Sequence, residues 1–132
     1  DNSKYLAKGY AFILSKLLRN LDIDLITFVP MSKNEKRCFN HSKLLAEELS
    51  KLLKTPCVEL LRKMKDTKEQ RSLTFKERRE NVKDVFALTK SVKNKKILLV
   101  DDIASTCSTL DDCAEKLKNC VVFAVTIARN MP

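Results

Sequence analysis

The sequence predicts an α/β fold, with one doubly wound domain over residues 1–132 whose mostly parallel sheet is flanked by helices. Apolar residues recur at helical spacing in three long segments, and short apolar runs without polar alternation lie between them. A strand covered by helices on both faces needs apolar residues on both sides, so such runs are typical of a parallel sheet. The predicted order is helix, strand, helix, strand, loop, strand, helix, strand.

The first half of the chain is predicted to hold two helices and two strands. Apolar residues at helical spacing predict amphipathic helices over residues 3–20 and 40–54. A short apolar strand is predicted between them, over residues 24–29. Cys57 to Leu61 is predicted as a second short strand, because Pro56 ends the preceding helix.

The second half is predicted to begin with a loop and a short helix. Lys63 to Ser72 is polar, basic and without periodicity, which predicts a long mobile loop. Thr74 and Glu77 form the capping-box pattern of a helix that runs through Val82. The remaining predicted elements are a small strand, the central strand, a helix and the last buried strand, at residues 85–88, 97–100, 110–117 and 121–127.

Composition excludes several classes of protein. The chain is 44% hydrophobic and 33% charged, without a membrane-length apolar run or a signal-peptide pattern, so we expect a cytoplasmic globular domain. Five cysteines without a C-x-x-C pair argue against a zinc ribbon or a disulfide framework. His41 is the single histidine, which excludes a histidine-based metal cluster or triad, and we predict no metal site built from protein ligands.

The net charge of +9 favours a polyanionic partner, either a phosphorylated metabolite or nucleic acid. Arg62 to Lys83 contains nine basic and four acidic residues, which is more than half of the excess charge. Arg71, Arg78 and Arg79 are the predicted nucleic-acid contacts in this segment. The alternative is a solvated basic face whose arginines pair with neighbouring glutamates.

The segment Ile97 to Leu110, ILLVDDIASTCSTL, carries the predicted site. Its apolar run leads into Asp101 and Asp102, and open α/β sheets place ligands at the carboxyl ends of their strands. The small residues that follow permit close approach to the backbone, and free amides at a helix start attract phosphate. We therefore predict a sugar phosphate whose hydroxyls contact the two acids. The predicted phosphate-binding residues are Ala104, Ser105, Thr106, Cys107, Ser108 and Thr109.

This segment also permits three other interpretations. Paired acids can end any α/β strand, with the hydroxyls capping the next helix. Response-regulator receiver domains also open on such a strand, but they need a phosphoacceptor aspartate tens of residues downstream, and 30 residues follow Asp102. A Walker B strand is the third alternative, but the P-loop that accompanies it needs several glycines, as dinucleotide fingerprints do, and this chain has one, Gly9.

The same segment resembles the 5-phosphoribosyl 1-pyrophosphate (PRPP) loop of type I phosphoribosyltransferases, in which an apolar strand and two acids precede a Thr-Thr-Gly-x-Thr-like turn. Lys36 to Leu49 is similar to the Arg-Gly-Phe-Asn-Gln segment of one branch, the ComF family of natural competence. Lys65 to Phe86 is similar to that family's Thr…Gln…Leu…Arg-x-x-Asn-Val…Phe stretch. Cys38 and Cys107 stand at usual glycine positions, and a β-carbon restricts the backbone there.

The resemblance implies a type I phosphoribosyltransferase fold with Asp101 and Asp102 as catalytic residues. It also implies Mg²⁺ held mainly through substrate oxygens, and a flexible catalytic loop at residues 63–76. A pyrophosphate-contacting loop is implied after the first strand, at Pro30, Met31, Ser32, Lys33 and Arg37.

Three functions remain open on the resemblance, all within DNA uptake during transformation. The protein is a transferase that uses PRPP, a non-catalytic factor that handles single-stranded DNA, or a sensor of PRPP or nucleotides. The partners implied are a competence ATPase and a recombination mediator. Because the chain begins with Asp and lacks the family's N-terminal zinc-binding cysteines, we expect it to be part of a longer protein.

Overall fold

A computed structural model describes residues 3–31, 39–64, 85–104 and 108–129. Within these residues the chain forms three helices and five strands. The helices are α1 (Ser3–Leu18), α2 (His41–Leu53) and α3 (Ser108–Lys116). The strands are β1 (Leu25–Phe28), β2 (Leu61–Lys63), β3 (Phe86–Leu88), β4 (Lys96–Ala104) and β5 (Val121–Arg129).

The main sheet has three parallel strands in the order β1-β4-β5, so β4 is central. An isolated parallel bridge between Ile26 and Cys57 brings the segment after α2 beside β1. β2 and β3 form a separate antiparallel pair. The predicted α/β class is confirmed, since parallel strands alternate with helices along most of the chain.

The four apolar residues of β4 are completely buried, and they alternate between two cores. Leu98 and Val100 pack with residues of α1, α2 and β1 on one face of the sheet. Ile97 and Leu99 pack on the other face with residues of α3 and of the β2–β3 pair. Burial on both faces explains why this strand shows no polar alternation.

α1 packs differently from the amphipathic pattern that predicted it. Ala7 and Ala11 are buried, whereas Leu6, Ile13 and Leu17 are 59%, 58% and 75% exposed. Leu14 and Leu18 also pack against this core, so α1 contributes both small and large apolar residues while its other large ones stay exposed. The predicted helix is confirmed.

The predicted strand at Cys57–Leu61 is also misplaced. Cys57 makes the isolated bridge to β1, and the strand proper begins at Leu61, which pairs with Leu88. Lys63, predicted as the start of a loop, is the last residue of β2. Residues 65–72 of that loop and the predicted helix through Val82 lie outside the described residues.

In the parts of the chain that the structure describes, no helix combines the length and the hydropathy needed to cross a membrane.

Candidate functional site

The candidate site lies where β4 extends past the end of β1 and meets the start of α2. Pairing between β1 and β4 ends with Phe28 opposite Val100. β4 continues through Asp101 and Asp102, because its last residues pair with β5 as far as Arg129. The two acids were predicted to end this strand, and the structure instead places them inside it, where β5 is still a neighbour and β1 no longer is.

Asn40 fixes the start of α2 beside the end of β1. Its Oδ1 accepts hydrogen bonds from the amides of Ser42 and Lys43, at 3.0 and 3.3 Å. These bonds satisfy two of the amides that a helix start leaves without partners. Its Nδ2 donates to the Val29 carbonyl oxygen at 3.2 Å, and the Val29 amide donates to the Val100 carbonyl oxygen at 2.9 Å. The helix start is therefore tied to the sheet next to the two acids.

Ser42 lies between the two carboxyl groups and is 3% exposed. Its Oγ is 3.1 Å from Asp101 Oδ1 and 3.4 Å from Asp102 Oδ1. A hydroxyl has one proton to donate, so we assign the donated bond to the nearer oxygen, on Asp101. The Asp102 amide lies 3.1 Å from Ser42 Oγ and 2.9 Å from Asp101 Oδ1, and it donates toward both.

Asp101 and Asp102 differ in their environment although they are adjacent. Asp101 is 7% exposed, and burial raises its pKa to about 6. The neighbouring Asp102 carboxyl also raises this pKa, while the hydrogen bonds from the Ser42 hydroxyl and the Asp102 amide lower it. Asp101 therefore takes up a proton in mildly acidic solution rather than near pH 4.

Asp102 faces a cavity of about 260 Å³. His41, the first residue of α2, shares this cavity, and its Nδ1 lies 3.6 Å from Asp102 Oδ2. The other lining residues are apolar or aromatic and come from α1, α2 and β5: Leu6, Ala7, Tyr10, Leu45, Ile127 and Ala128. The cavity thus offers a carboxylate and an imidazole against apolar walls.

Sequence reasoning missed three residues of this site. His41, which the predicted helix over residues 40–54 places near a helix start, does begin α2, and its ring lies beside Asp102. Asn40 and Ser42 were not singled out. Asn before an apolar helical run is an N-cap signature, so the cap was open to prediction. The Ser42 contact to β4 spans 59 positions and left no local signal.

The structure describes part of the predicted phosphate and pyrophosphate loops. Ala104 is the last residue of β4, and Ser108 and Thr109 are the first residues of α3. Pro30 and Met31 follow β1 directly. Because β1 and β4 are parallel, these positions share one edge of the sheet. The other predicted site residues lie outside the described ranges: Ser32, Lys33, Arg37, Arg71, Arg78, Arg79, Ser105, Thr106 and Cys107.

Known structures share this fold. A purine phosphoribosyltransferase from Pyrococcus horikoshii Ot3 superposes with a TM-score of 0.64 at 20% identity, over 95% of this chain and 74% of that one. An adenine phosphoribosyltransferase from Thermoanaerobacter pseudethanolicus gives a TM-score of 0.59 at 18% identity, over 92% of this chain and 67% of that one. At these identities the likeness shows the fold.

Two curated relatives are named as a competence protein and a DNA utilization protein. Competence protein F of Haemophilus influenzae is 32% identical over 96 residues, which are 70% of this chain and 42% of that protein. The DNA utilization protein YhgH of Escherichia coli O157:H7 is 33% identical over 97 residues, which are 71% of this chain and 43% of that protein. The resemblance to the ComF family is confirmed, and the aligned part of the chain spans less than half the length of these relatives.

A family model supplies the broadest match. The model of the phosphoribosyl transferase domain matches residues 4–131, which is nearly the whole chain. This match agrees with the parallel sheet and with the paired acids beyond its β1–β4 ladder. The chain therefore belongs to the phosphoribosyl transferase domain family.

Proposed function

We propose that this chain binds PRPP or a related ribose phosphate, as part of a phosphoribosyltransferase-type protein of DNA uptake. One observation carries the proposal: Asp102 faces a cavity beside the start of α2, while Asp101 is held inside by hydrogen bonds. A carboxylate that faces a cavity can accept hydrogen bonds from a sugar diol. The start of α3 follows β4 at the same edge of the sheet, where backbone amides favour a phosphate.

Each part of this edge has a proposed role. Asp102 accepts hydrogen bonds from the ribose hydroxyls and orients the ring. Asp101, behind it, adds negative charge that stabilises positive charge developing at the anomeric carbon. The residues from Ala104 to Thr109 hold the 5′-phosphate, and Lys33 and Arg37 contact the diphosphate. These last two roles extend the family resemblance.

Mg²⁺ fits this arrangement if the substrate supplies most of its ligands. Asp101 is buried and accepts hydrogen bonds from Ser42 and from the Asp102 amide, so the acid pair does not form a protein cage for a cation. The ion would be held mainly through phosphate oxygens and water. When bound, the ion would neutralise charge on the diphosphate.

Calorimetry with PRPP and Mg²⁺ tests the proposal, and we expect saturable binding of one PRPP per chain. Ribose 5-phosphate and 2-deoxyribose 5-phosphate form a matched pair of probes, because they differ by one hydroxyl. We expect the deoxy sugar to bind roughly 10-fold or more weakly, since a hydrogen bond to a charged group contributes about 1.5–3 kcal/mol. Equal affinities for the two sugars would contradict ribose recognition by Asp102.

The second candidate function is the handling of single-stranded DNA, and the excess of cations between Arg62 and Lys83 supports it. Each phosphate contact should steepen the fall of log affinity with log salt by about 0.7. Charge reversal to Glu at Arg71, Arg78 and Arg79 is therefore expected to lower both the affinity and this slope by about two units. The measurement is fluorescence anisotropy with labelled oligonucleotides at several salt concentrations.

The matched control reverses three exposed cations of the N-terminal region, Lys4, Lys8 and Arg19, which changes the net charge equally. An equal loss in both variants would mean that net charge, rather than the basic segment, governs binding. We also propose a cytoplasmic location, and we propose a competence ATPase and a recombination mediator as partners.

A further inference from the structure

We infer that Ser42 is a positioning residue for the paired acids: its hydroxyl holds the Asp101 carboxylate inward and the Asp102 backbone in place, so that the Asp102 side chain faces the cavity. The consequence for ligand binding rests on the proposed ribose-phosphate function. The effect of Ser42 on Asp101 itself does not depend on any ligand.

The Ser42 hydroxyl both donates and accepts a hydrogen bond. It donates to Asp101 Oδ1 at 3.1 Å and accepts from the Asp102 amide at 3.1 Å. Both bonds lie in a region where Ser42 is 3% exposed, so water has little access to replace them. Removing this oxygen therefore affects the two acids together.

Ser42 is itself held in place by the cap of α2. Its amide donates to Asn40 Oδ1 at 3.0 Å, and Asn40 donates to the Val29 carbonyl oxygen. The hydroxyl is thus carried by a helix start that is tied to β1. A rigid support of this kind suits a residue that orients other groups rather than one that reacts.

The two acids of β4 have different surroundings although one hydroxyl contacts both. Successive residues of a strand start toward opposite faces. Asp102 lines the cavity on the side of α1 and α2. Asp101 is buried and close enough to Cys113 of α3 for its charge to raise the pKa of that thiol. Ser42 Oγ lies within 3.4 Å of both carboxyl groups, and its hydrogen bond to Asp101 stabilises the charged form of that acid.

The charged and titratable groups around Asp101 come from four elements. Asp102 lies beside it on β4, and His41 of α2 contacts Asp102. Asp112 and Cys113 of α3 lie on the other face, where Lys63 of β2 also acts on Cys113. The hydroxyl of Ser42 opposes the effect of burial by favouring the carboxylate, so its loss should raise the pKa of Asp101 further.

The test is a titration of the Asp101 carboxyl carbon by NMR in the ligand-free chain. The wild-type midpoint is expected at about pH 6. Ser42→Ala should raise the midpoint, and Ser42→Thr should restore it because the hydroxyl returns. Ser50→Ala is the matched control, since Ser50 lies on the same helix and donates to the Thr55 carbonyl oxygen at the opposite end. Ser50→Ala should leave the Asp101 midpoint unchanged.

The second readout is the affinity for ribose 5-phosphate at pH 7.5, which we expect Ser42→Ala to lower roughly tenfold. An unchanged Asp101 midpoint in Ser42→Ala would overturn the inference. A raised midpoint in a protein that binds no ribose phosphate would support the positioning of Asp101 and reject the proposed function. If Ser42→Ala does not fold, Ser42→Cys replaces it, because a thiol is a weak donor and should give the same upward shift.

Discussion

Replacing Asp102 with asparagine is expected to lower the affinity for ribose 5-phosphate roughly 10- to 150-fold, because a hydrogen bond to a charged group contributes about 1.5–3 kcal/mol. Asparagine keeps the size of the side chain and one acceptor, but it loses the charge and presents a donor to the sugar hydroxyls. The Asp102 amide bonds to Ser42 and Asp101 are backbone bonds and remain. Calorimetry at pH 7.5 measures the loss.

Asp111→Asn is the control for this variant, because Asp111 is an exposed acid in the first turn of α3 and its loss changes the net charge equally. A similar loss of affinity in both variants would show that general electrostatics governs binding. Unchanged affinity in Asp102→Asn would contradict its assignment as the ribose-binding carboxylate.

Replacing Asp101 with asparagine is expected to stabilise the protein at neutral pH, by at most about 3 kcal/mol. Native Asp101 holds its proton up to about pH 6, whereas the unfolded chain releases it near the ordinary value of 3.8. The native state therefore binds more protons between these values, and the contribution of Asp101 to wild-type stability falls as the pH rises through this range. Asparagine does not ionise, so the stability of the variant does not fall in this way as the pH rises.

Urea unfolding at pH 4 and at pH 7.5 measures the effect, and the wild type should lose more stability than the variant between the two. Glu115→Gln, at an exposed position of α3, controls for the loss of one acid. Parallel stability profiles for Asp101→Asn and the wild type would contradict a raised pKa at Asp101. The same variant should retain the hydrogen bond from Ser42, because the amide oxygen accepts it as well.

The central strand was predictable because burial on both faces requires apolar residues at successive positions, and this pattern is visible in the sequence. Ile97 to Val100 are apolar without alternation, and all four are completely buried. α2 and its cap could be predicted for a related reason, since a cap and a helical repeat are local patterns. Which apolar residues of α1 pack and which stay exposed could not be predicted, because that depends on how α2 and the sheet pack against the helix.

The different environments of the two acids were harder to predict. The hydrophobic run ends at Val100, so the strand was expected to end there, and two adjacent acids then look equivalent. The structure extends β4 to Ala104 by pairing with β5, so that Asp101 is buried while Asp102 faces the cavity. The decisive information lay in β5, more than twenty residues further along the chain.

The hydrogen bond from Asn40 to Val29 also bears on how much the segment between them can vary. The bond joins Val29 to Asn40, so the chain leaves and re-enters this part of the fold at two positions that are held together. The entropic cost of joining two such positions grows slowly with the number of residues between them, by about 0.6 kcal/mol for each doubling. Insertions and deletions between Pro30 and Phe39 should therefore be tolerated by the fold, while the two acids stay fixed.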